Sequence, residues 1–388
     1  MKLIAKEDKE MRNLKGSHDR KQSGRLLKLI VLATAITLCG GAHAQSISWL
    51  TKGEKIASGD WYLPVLASDY NGDFVVVGQG GTGTESHLKD QTAAYDFGTG
   101  YSKTLTWSGT YTSDYTTGHA PSVALAFEYF DSPPESYDVA VEVHQGGQDD
   151  GAALWSHVAV TGSPIPATLT WTKGDQYDKG YNPKVAIDPF PIYGPIANIN
   201  TVVEVHQAGE GISDLWYHVG SLAVYADGKT YLTWGPSYQF DYGYVPSVGV
   251  CAGVAVEVHQ GDSGSLWYSI GKVSGDKVNW SASTQYDSGR NPSVSMCTDM
   301  NPAPPDYLVE VHQGGVPAAG KSTALWYHIS EYTDSAVTWV PAVKYSTGCY
   351  PTVTSTQTLS AYGTLIAETH AGACGVPAPL YYDLGSLK

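Results

Sequence analysis

The chain has 388 residues and a formal net charge of −15, and it is rich in glycine (43) and tyrosine (27). Such an acidic surface repels nucleic acids and anionic lipids, so we expect neither as a partner. The five cysteines include no Cys-x-x-Cys pair, which argues against a structural zinc site, and we expect no metal and no other cofactor.

The segment 1–44 has the pattern of a secretory signal peptide. Basic residues precede an apolar run, LIVLATAITLCGG, which ends in Ala-His-Ala before Gln45. A small-x-small end of this kind predicts cleavage near Ala44, which leaves 45–388 as a single domain. A lipid anchor on Cys39 is the weaker alternative. We therefore expect a secreted or periplasmic protein, with no other run long and apolar enough to span a membrane.

After this segment, one pattern of four short strands recurs along the chain. The first strand follows a Tyr-x-x-Gly turn and a proline, and the second carries Glu-x-His-Gln. The third begins with Leu-Trp, and the fourth ends in a tryptophan. Runs of this length, rich in β-branched residues and bounded by Gly, Pro and Asn, are typical of strands, and no segment is typical of a helix.

Two less regular copies bring the number of units to six. Residues 58–81 form a first copy without the Glu and His, and 361–385 form a last copy with Tyr381 in place of the tryptophan. The last copy ends before its fourth strand, whereas Ser-Ile-Ser-Trp, ending at Trp49, belongs to no unit. A ring accounts for both ends, because the first strand then completes the last unit. The sequence therefore predicts an all-β fold, a six-bladed β-propeller of four-stranded blades closed by the amino-terminal strand. A β-solenoid is the alternative.

The domain contains four cysteines, and an even number in an exported chain favours disulfide bonds. Cys251 and Cys297 occupy the same place after the innermost strand of consecutive units. Cys349 precedes the innermost strand of the last unit and Cys374 follows its second strand, so antiparallel pairing brings them to one end of the sheet. We expect Cys251–Cys297 and Cys349–Cys374 disulfides.

The Glu and His of the repeated strand project from one face, because side chains alternate between faces along a strand. In a structural interpretation they bridge neighbouring blades, since an unpaired buried charge is unfavourable. In a functional interpretation they form hydrogen bonds to a sugar while the Leu-Trp ring packs on its C–H face. Both interpretations stay open at this point. The candidate ligand-binding residues are Glu142, His144, Gln145, Trp155, Glu204, His206, Gln207, Trp216, Glu257, His259, Gln260, Trp267, Glu310, His312, Gln313 and Trp326.

In its order of hydrophobic strand, Gln-Gly loop, aromatic strand and Trp-ended strand, the chain resembles the six-bladed lectin propellers of fungi and bacteria. It is also similar to exported bacterial proteins with VEVHQ…LWY repeats. The lectin resemblance implies fucose or related sugars bound between blades by an arginine, a glutamate and a tryptophan. Arg290 is the only arginine after residue 44, so a histidine would replace arginine as the donor in each repeated site. The resemblance thus implies a secreted carbohydrate-binding protein whose partner is a carbohydrate or glycoconjugate.

Three other functions compete with sugar binding. A protein-binding scaffold would share the exported location and the acidic surface. A glycan-processing hydrolase needs an acid and a base in different environments, whereas the acids here are repeated, so we expect no catalytic residue. Metal binding by Glu and His, or by the calcium-loop-like stretch 69–73, is less favoured. Imidazole beside carboxylate is more often a hydrogen bond, and Asn71-Gly72 is typical of a tight turn.

Overall fold

The backbone consists almost entirely of β-strands. The computed structural model of the chain describes residues 46–56, 61–81, 86–96, 104–108, 112–131, 134–147, 151–162, 165, 169–194, 196–296, 306–356 and 364–387. The predicted signal peptide and Cys297 lie outside these residues. Within them the helical content is one short 3-10 turn, Asp262–Gly264. None of the described residues forms a helix with the length and hydropathy needed to cross a membrane.

The described residues contain twenty-six strands. In chain order they are β1 (Ile47–Lys55), β2 (Tyr62–Ser68), β3 (Asp73–Gln79), β4 (Ser86–Ala94), β5 (Thr106–Trp107), β6 (Thr112–Asp131), β7 (Pro134–Gln145), β8 (Ala152–Gly162), β9 (Asp175–Ile187), β10 (Ile192–Tyr193), β11 (Ala197–Gly209), β12 (Ile212–Tyr225), β13 (Thr230–Trp234), β14 (Tyr238–Tyr242), β15 (Tyr244–Cys251), β16 (Val254–Gln260), β17 (Ser265–Ser274), β18 (Lys277–Trp280), β19 (Thr284–Ser288), β20 (Arg290–Ser295), β21 (Asp306–Gln313), β22 (Thr323–Tyr332), β23 (Val337–Thr338), β24 (Val343–Thr356), β25 (Leu365–Ala371) and β26 (Leu380–Leu387).

Antiparallel pairing groups these strands into units that follow one another along the described chain. Unit 1 contains β2, β3, β4 and β5, and unit 2 contains β6, β7 and β8 with an isolated bridge from Trp171 to Ala159. Unit 3 contains β9, β11, β12 and β13, and unit 4 contains β15 to β18. Unit 5 contains β20 to β23, and unit 6 contains β24, β25, β26 and β1.

Consecutive units are joined by strands that belong to two sheets. The amino-terminal part of β9 pairs with β8 of unit 2, and the rest of β9 pairs with β11 of unit 3. The change of sheet occurs at Asn182, whose φ of 51° is followed by Pro183, which cannot donate a backbone hydrogen bond. A residue of positive φ precedes a proline at the same place in every unit: Leu63, Ala120, Asn182, Val245, Asn291 and Tyr350.

Apolar cores lie between neighbouring units. Val203 and Val205, on the face of β11 opposite to Glu204 and His206, pack in one buried cluster with Val248 of unit 4. Both faces of the second strand are therefore covered by neighbouring units. This burial explains why the strand is rich in valine and carries the Glu and His as its main polar residues.

The two ends of the described chain meet in unit 6. Strand β1 pairs antiparallel with β26, from Ile47 opposite Leu387 onward, and so takes the fourth place of that unit. The ring of Trp49 stacks on Tyr345 with centroids 5.1 Å apart. A disulfide joins Cys349 to Cys374 with a Cα–Cα distance of 5.3 Å, which is the second of the two predicted pairs. The Cys251–Cys297 pair stays a prediction because Cys297 is outside the described residues.

Candidate functional site

The Glu and His of each second strand form a buried pair. In unit 3, His206 Nδ1 lies 3.0 Å from Glu204 Oε2, and the two residues are 1% and 0% exposed. The same contact, at 2.9 to 3.0 Å, joins His144 to Glu142, His259 to Glu257, His312 to Glu310 and His370 to Glu368. The predicted Glu and His residues of units 2 to 5 are therefore brought together in buried pairs, and Glu368 and His370 form a fifth pair of the same kind.

The tyrosine of the Tyr-x-x-Gly turn reaches the same carboxylate. Tyr286 Oη donates to Glu310 Oε1 at 3.0 Å, and the buried hydroxyl of Tyr177 lies near Glu204. Burial raises the pKa of Tyr177 and Tyr286 well above the usual value, so both phenols stay protonated. In unit 4 the corresponding residue is Phe240, which has no hydroxyl.

A β-bulge directs two neighbouring side chains toward the same unit. Leu154 lies opposite Asp178 and Trp155 opposite Gln176, so Tyr177 is the extra residue on β9. A bulge of this kind re-aims side chains. As a result Tyr177 and Asp178 both point at unit 3.

Asp178 completes a group of four polar residues with the Glu–His pair and a histidine of the third strand, to which it is hydrogen-bonded. His218 Nε2 lies 2.7 Å from Asp178 Oδ2, and His206 Nε2 lies 3.7 Å from the same oxygen. Unit 5 repeats this arrangement with Asp287, where the distances to His328 Nε2 and His312 Nε2 are 2.8 and 3.9 Å. Sequence reasoning missed these Asp and His residues, although both recur at a fixed distance from the Tyr and Trp of their motifs.

Both ring nitrogens of His218 have an acceptor. Nδ1 donates to the carbonyl of Gly235 at 2.8 Å, and Nε2 donates to Asp178. Burial opposes a charged ring, but the hydrogen bond to Asp178, the nearby Glu204 carboxylate and the hydrogen bond to Gly235 together outweigh it, so the pKa of His218 lies above its usual value. Burial likewise opposes ionisation of Asp178, yet the hydrogen bonds from His218, the Lys179 backbone and Ser237 together lower the pKa of that carboxyl to about 2. An acceptor at each ring nitrogen favours an imidazolium paired with the Asp178 carboxylate.

The ligand atoms of Asp178, His206 and His218 all lie within 4.8 Å of one another, and they are types that zinc accepts. A metal needs a lone pair on the imidazole, however, and His218 uses both of its nitrogens as donors. The arrangement thus fits a hydrogen-bonded ion pair between units better than a metal centre.

The glycine and glutamine of the motifs also connect neighbouring units. A Cβ on Gly180 would lie 2.5 Å from Cδ2 of His206, so the imidazole leaves no room for a side chain there. Gln145 Oε1 accepts the N–H of Asn182 at 2.7 Å, which supports that residue in its positive-φ conformation. Equivalent bonds run from Val245 to Gln207 and from Tyr350 to Gln313.

The Leu-Trp tryptophans are the partly exposed members of the predicted set. Trp216 lies directly opposite His206 across the β11–β12 pair, and Trp326 lies opposite His312. Both rings are partly exposed, as are those of Trp155 and Trp267. The carboxylates of Asp178 and Asp287 are 28% and 29% exposed. The fourth-strand tryptophans differ, because Trp234 stacks on Tyr177 at 4.9 Å as part of the packing between units.

The group of four residues varies between units. Unit 4 has Ser269 where units 3 and 5 have His218 and His328, and unit 2 has Thr116 where unit 3 has Asp178. Units 3 and 5 thus carry the complete set, and units 2 and 4 are natural variants that each lack one member.

Comparison with known proteins shows the fold alone. No protein-family model and no curated protein sequence matches the chain. A solved protein of unknown function from Dyadobacter fermentans is 11% identical over 89% of this chain and 100% of its own, with a TM-score of 0.50. A mutant of Aleuria aurantia lectin in complex with alpha-methyl-L-fucoside is 13% identical over 85% and 97%, with a TM-score of 0.50. An alpha-L-arabinanase from Penicillium chrysogenum is 12% identical over 87% and 98%, with a TM-score of 0.48. The Aleuria lectin is described as a six-bladed β-propeller. The chain therefore has a β-propeller fold.

Proposed function

We propose that the chain is a six-bladed propeller that binds carbohydrate in the crevices between neighbouring units, without catalysing a reaction on it. The contacts of the innermost strands support the ring, because β2 contacts both β6 and β24. The pairing of β1 with β26 supports its closure by the amino-terminal strand. The signal-peptide pattern before Gln45 and the Cys349–Cys374 disulfide favour a secreted or periplasmic location.

One observation carries the sugar-binding proposal. In units 3 and 5 a partly exposed tryptophan and a partly exposed carboxylate adjoin the same buried histidine. The indole offers a flat surface for the C–H face of a sugar, and the carboxylate accepts hydrogen bonds from its hydroxyls. The buried Glu–His pairs then hold the tryptophan strand and the aspartate in place and do not contact the ligand. Several equivalent crevices on one rigid ring would give avidity for a glycan-covered surface.

A glycan array tests this proposal with the purified full chain. We expect binding to a defined group of glycans and a loss of at least about tenfold when Trp216→Ala and Trp326→Ala are combined, because stacking is removed from both complete crevices. Tyr231→Ala is the matched control, since Tyr231 is a 59% exposed aromatic residue of β13. It should leave both glycan binding and the melting temperature unchanged.

Two results would contradict the proposal. A chain that binds no glycan at any concentration on the array is not a lectin, and release of sugar from a bound glycan would show an enzyme. If the tryptophan variants lose glycan binding and also melt at a lower temperature, unfolding explains the loss as well as removal of the site does. Asp178→Asn distinguishes these two explanations. Because the Asp178 carboxylate is partly exposed, this change should weaken glycan binding while the protein stays folded at the assay temperature.

A further inference from the structure

A cavity of about 230 Å³ lies among the innermost strands of the units. Strands β2, β6, β9, β15, β20 and β24 all contribute to its lining, and we call it the central cavity. The residue after the proline of each strand takes the same position in it. These six residues are Val65, Ser122, Lys184, Ser247, Ser293 and Thr352.

The hydroxyls at this position connect neighbouring strands. Ser122 Oγ accepts the N–H of Val185 at 3.3 Å, and Ser247 Oγ accepts the N–H of Val294 at 3.2 Å. Ser293 Oγ accepts the N–H of Val353 at 3.3 Å in the same way. Because each of these serine hydroxyls acts as an acceptor in this contact, its own hydrogen stays available to a ligand in the cavity. The serines are therefore a set of donors that line one small space.

Lys184 departs from this repeated pattern. It places an ammonium group where four other units have a hydroxyl, and no Asp or Glu is among the described residues that line the central cavity. Burial alone lowers the pKa of Lys184 to about 8, so the group keeps its charge at pH 7, and no carboxylate among the described residues contributes to this pKa. Lys184 is only partly exposed, and a cation removed from bulk water is unfavourable until an anion or water compensates it.

A second basic residue lies next to the lining of the cavity although the chain as a whole is acidic. Arg290, the single arginine after residue 44, immediately precedes Asn291, which lines the cavity. His119 contributes to the lining from β6, but burial lowers the pKa of its imidazole and so disfavours the charged form. In a chain with a formal net charge of −15, a lysine among described lining residues that include no carboxylate is a local departure that favours entry of an anion.

We propose that the central cavity is a binding site for a small anion, a carboxylate or a phosphate, which pairs with Lys184 and accepts hydrogen bonds from the surrounding serine hydroxyls. The site is separate from the crevices between units, so it stands or falls independently of glycan binding there. Carboxylate and phosphate share the chemistry that the cavity offers, and the experiment distinguishes between them.

Isothermal titration calorimetry on the full chain, at constant ionic strength, tests the site with inorganic phosphate and D-glucuronate, and with D-glucose as the neutral control that reports any binding of a monosaccharide in the crevices. We expect phosphate or glucuronate to bind at one site per chain that glucose does not occupy and that depends on Lys184. Lys184→Ser should weaken the binding at least tenfold. This variant restores the hydroxyl that other units carry at the same position, so we expect it to fold with an equal or higher melting temperature.

Lys277→Ser removes the same charge from an exposed position of β18 and should leave anion binding unchanged. Binding of phosphate alone identifies a phosphate-bearing ligand, and binding of glucuronate alone identifies a carboxylate. The proposal is overturned if neither anion binds the wild-type chain, or if Lys184→Ser binds as tightly as the wild type. Lys184 would then be compensated by water alone.

Discussion

The crevice between units 2 and 3 and the central cavity are both polar, but their charges are paired in different ways. In the crevice, Asp178 is hydrogen-bonded to His218 and Glu204 to His206, so each charge has a partner within the fold. In the cavity, Lys184 places an ammonium group at a position where four other units have a hydroxyl group. The difference indicates that the repeated polar residues stabilise the assembly of units, whereas a departure from the repeat leaves a charge for a ligand.

The largest effect should follow from breaking a repeated pair. Glu204→Ala leaves His206 buried without its carboxylate partner. We expect the free energy of unfolding to fall by about 3–5 kcal/mol, as measured by urea denaturation. Asp262→Ala, at an exposed position, should change it by less than about 0.5 kcal/mol. A loss below about 1 kcal/mol for Glu204→Ala would show that the pair does not stabilise the contact between units.

The disulfide of unit 6 should contribute a comparable but smaller amount. Cys349→Ala combined with Cys374→Ala opens a loop with a sequence separation of 25 residues, and we expect a loss of about 3 kcal/mol in urea denaturation. Cys349 precedes Tyr350, which lines the central cavity. The same variant therefore also tests whether anion binding depends on the disulfide. Phosphate or glucuronate binding should persist, because Lys184 is unchanged. Unaltered stability would mean that hydrogen bonds alone hold this end of the sheet.

The pH dependence of stability should reflect the buried acids. Burial raises the pKa of Asp90 to about 7, and the pKa of His218 is also raised. A group with a raised pKa in the folded state contributes stability below its unfolded pKa, and this contribution is lost as the pH rises through the folded pKa. The pKa of Asp178, lowered to about 2, acts in the opposite sense, so its contribution is lost as the pH falls below about 4.

We therefore expect the urea midpoint to rise as the pH is lowered from 8 to about 5, and to fall again below about 4. Asp90→Asn should reduce the change between pH 8 and 5, because an amide does not titrate. A midpoint that is constant over this range, or that rises toward pH 8, would show that burial of these carboxyls is less complete than the structure indicates.

The smallest effect concerns the positive-φ residues that precede the prolines. Val245 adopts a φ of 50°, which is unfavourable for a β-branched side chain, whereas units 3 and 5 have Asn182 and Asn291 at the same place. Val245→Asn should therefore stabilise the protein by about 1 kcal/mol in urea denaturation. The reverse change, Asn182→Val, should destabilise it by at least as much. If Val245→Asn is neutral or destabilising, the packing of Val245 outweighs its backbone strain.

Much of the strand pattern was predictable from the sequence because it is local. The unpaired segment that ends at Trp49 was predicted to supply a fourth strand for the last unit, and β1 pairs with β26. The predicted turn at Asn71-Gly72 lies between β2 and β3, where Asp69 Oδ1 accepts the N–H of Asn71 at 2.9 Å. Period-two alternation and turn residues suffice for such features.

The candidate site was predictable only in part. Alternation placed Glu204 and His206 on one face of their strand, and they do share it. Their burial depends on the packing of a neighbouring unit. The approach of Asp178 depends on the β-bulge at Tyr177, which the sequence pattern does not predict. The choice between ligand contact and packing therefore required the neighbouring unit.

The sequence by itself determined the repeat, its strands and the residues on each face, because strand geometry and turn chemistry act over a few residues. Only the tertiary structure decided which polar groups find partners, since those partners come from different units. His218 meets Asp178 across a crevice, and Lys184 faces a cavity lined by six strands. Whether a side chain ends buried and paired or facing open space is fixed by packing between units, which no local pattern encodes.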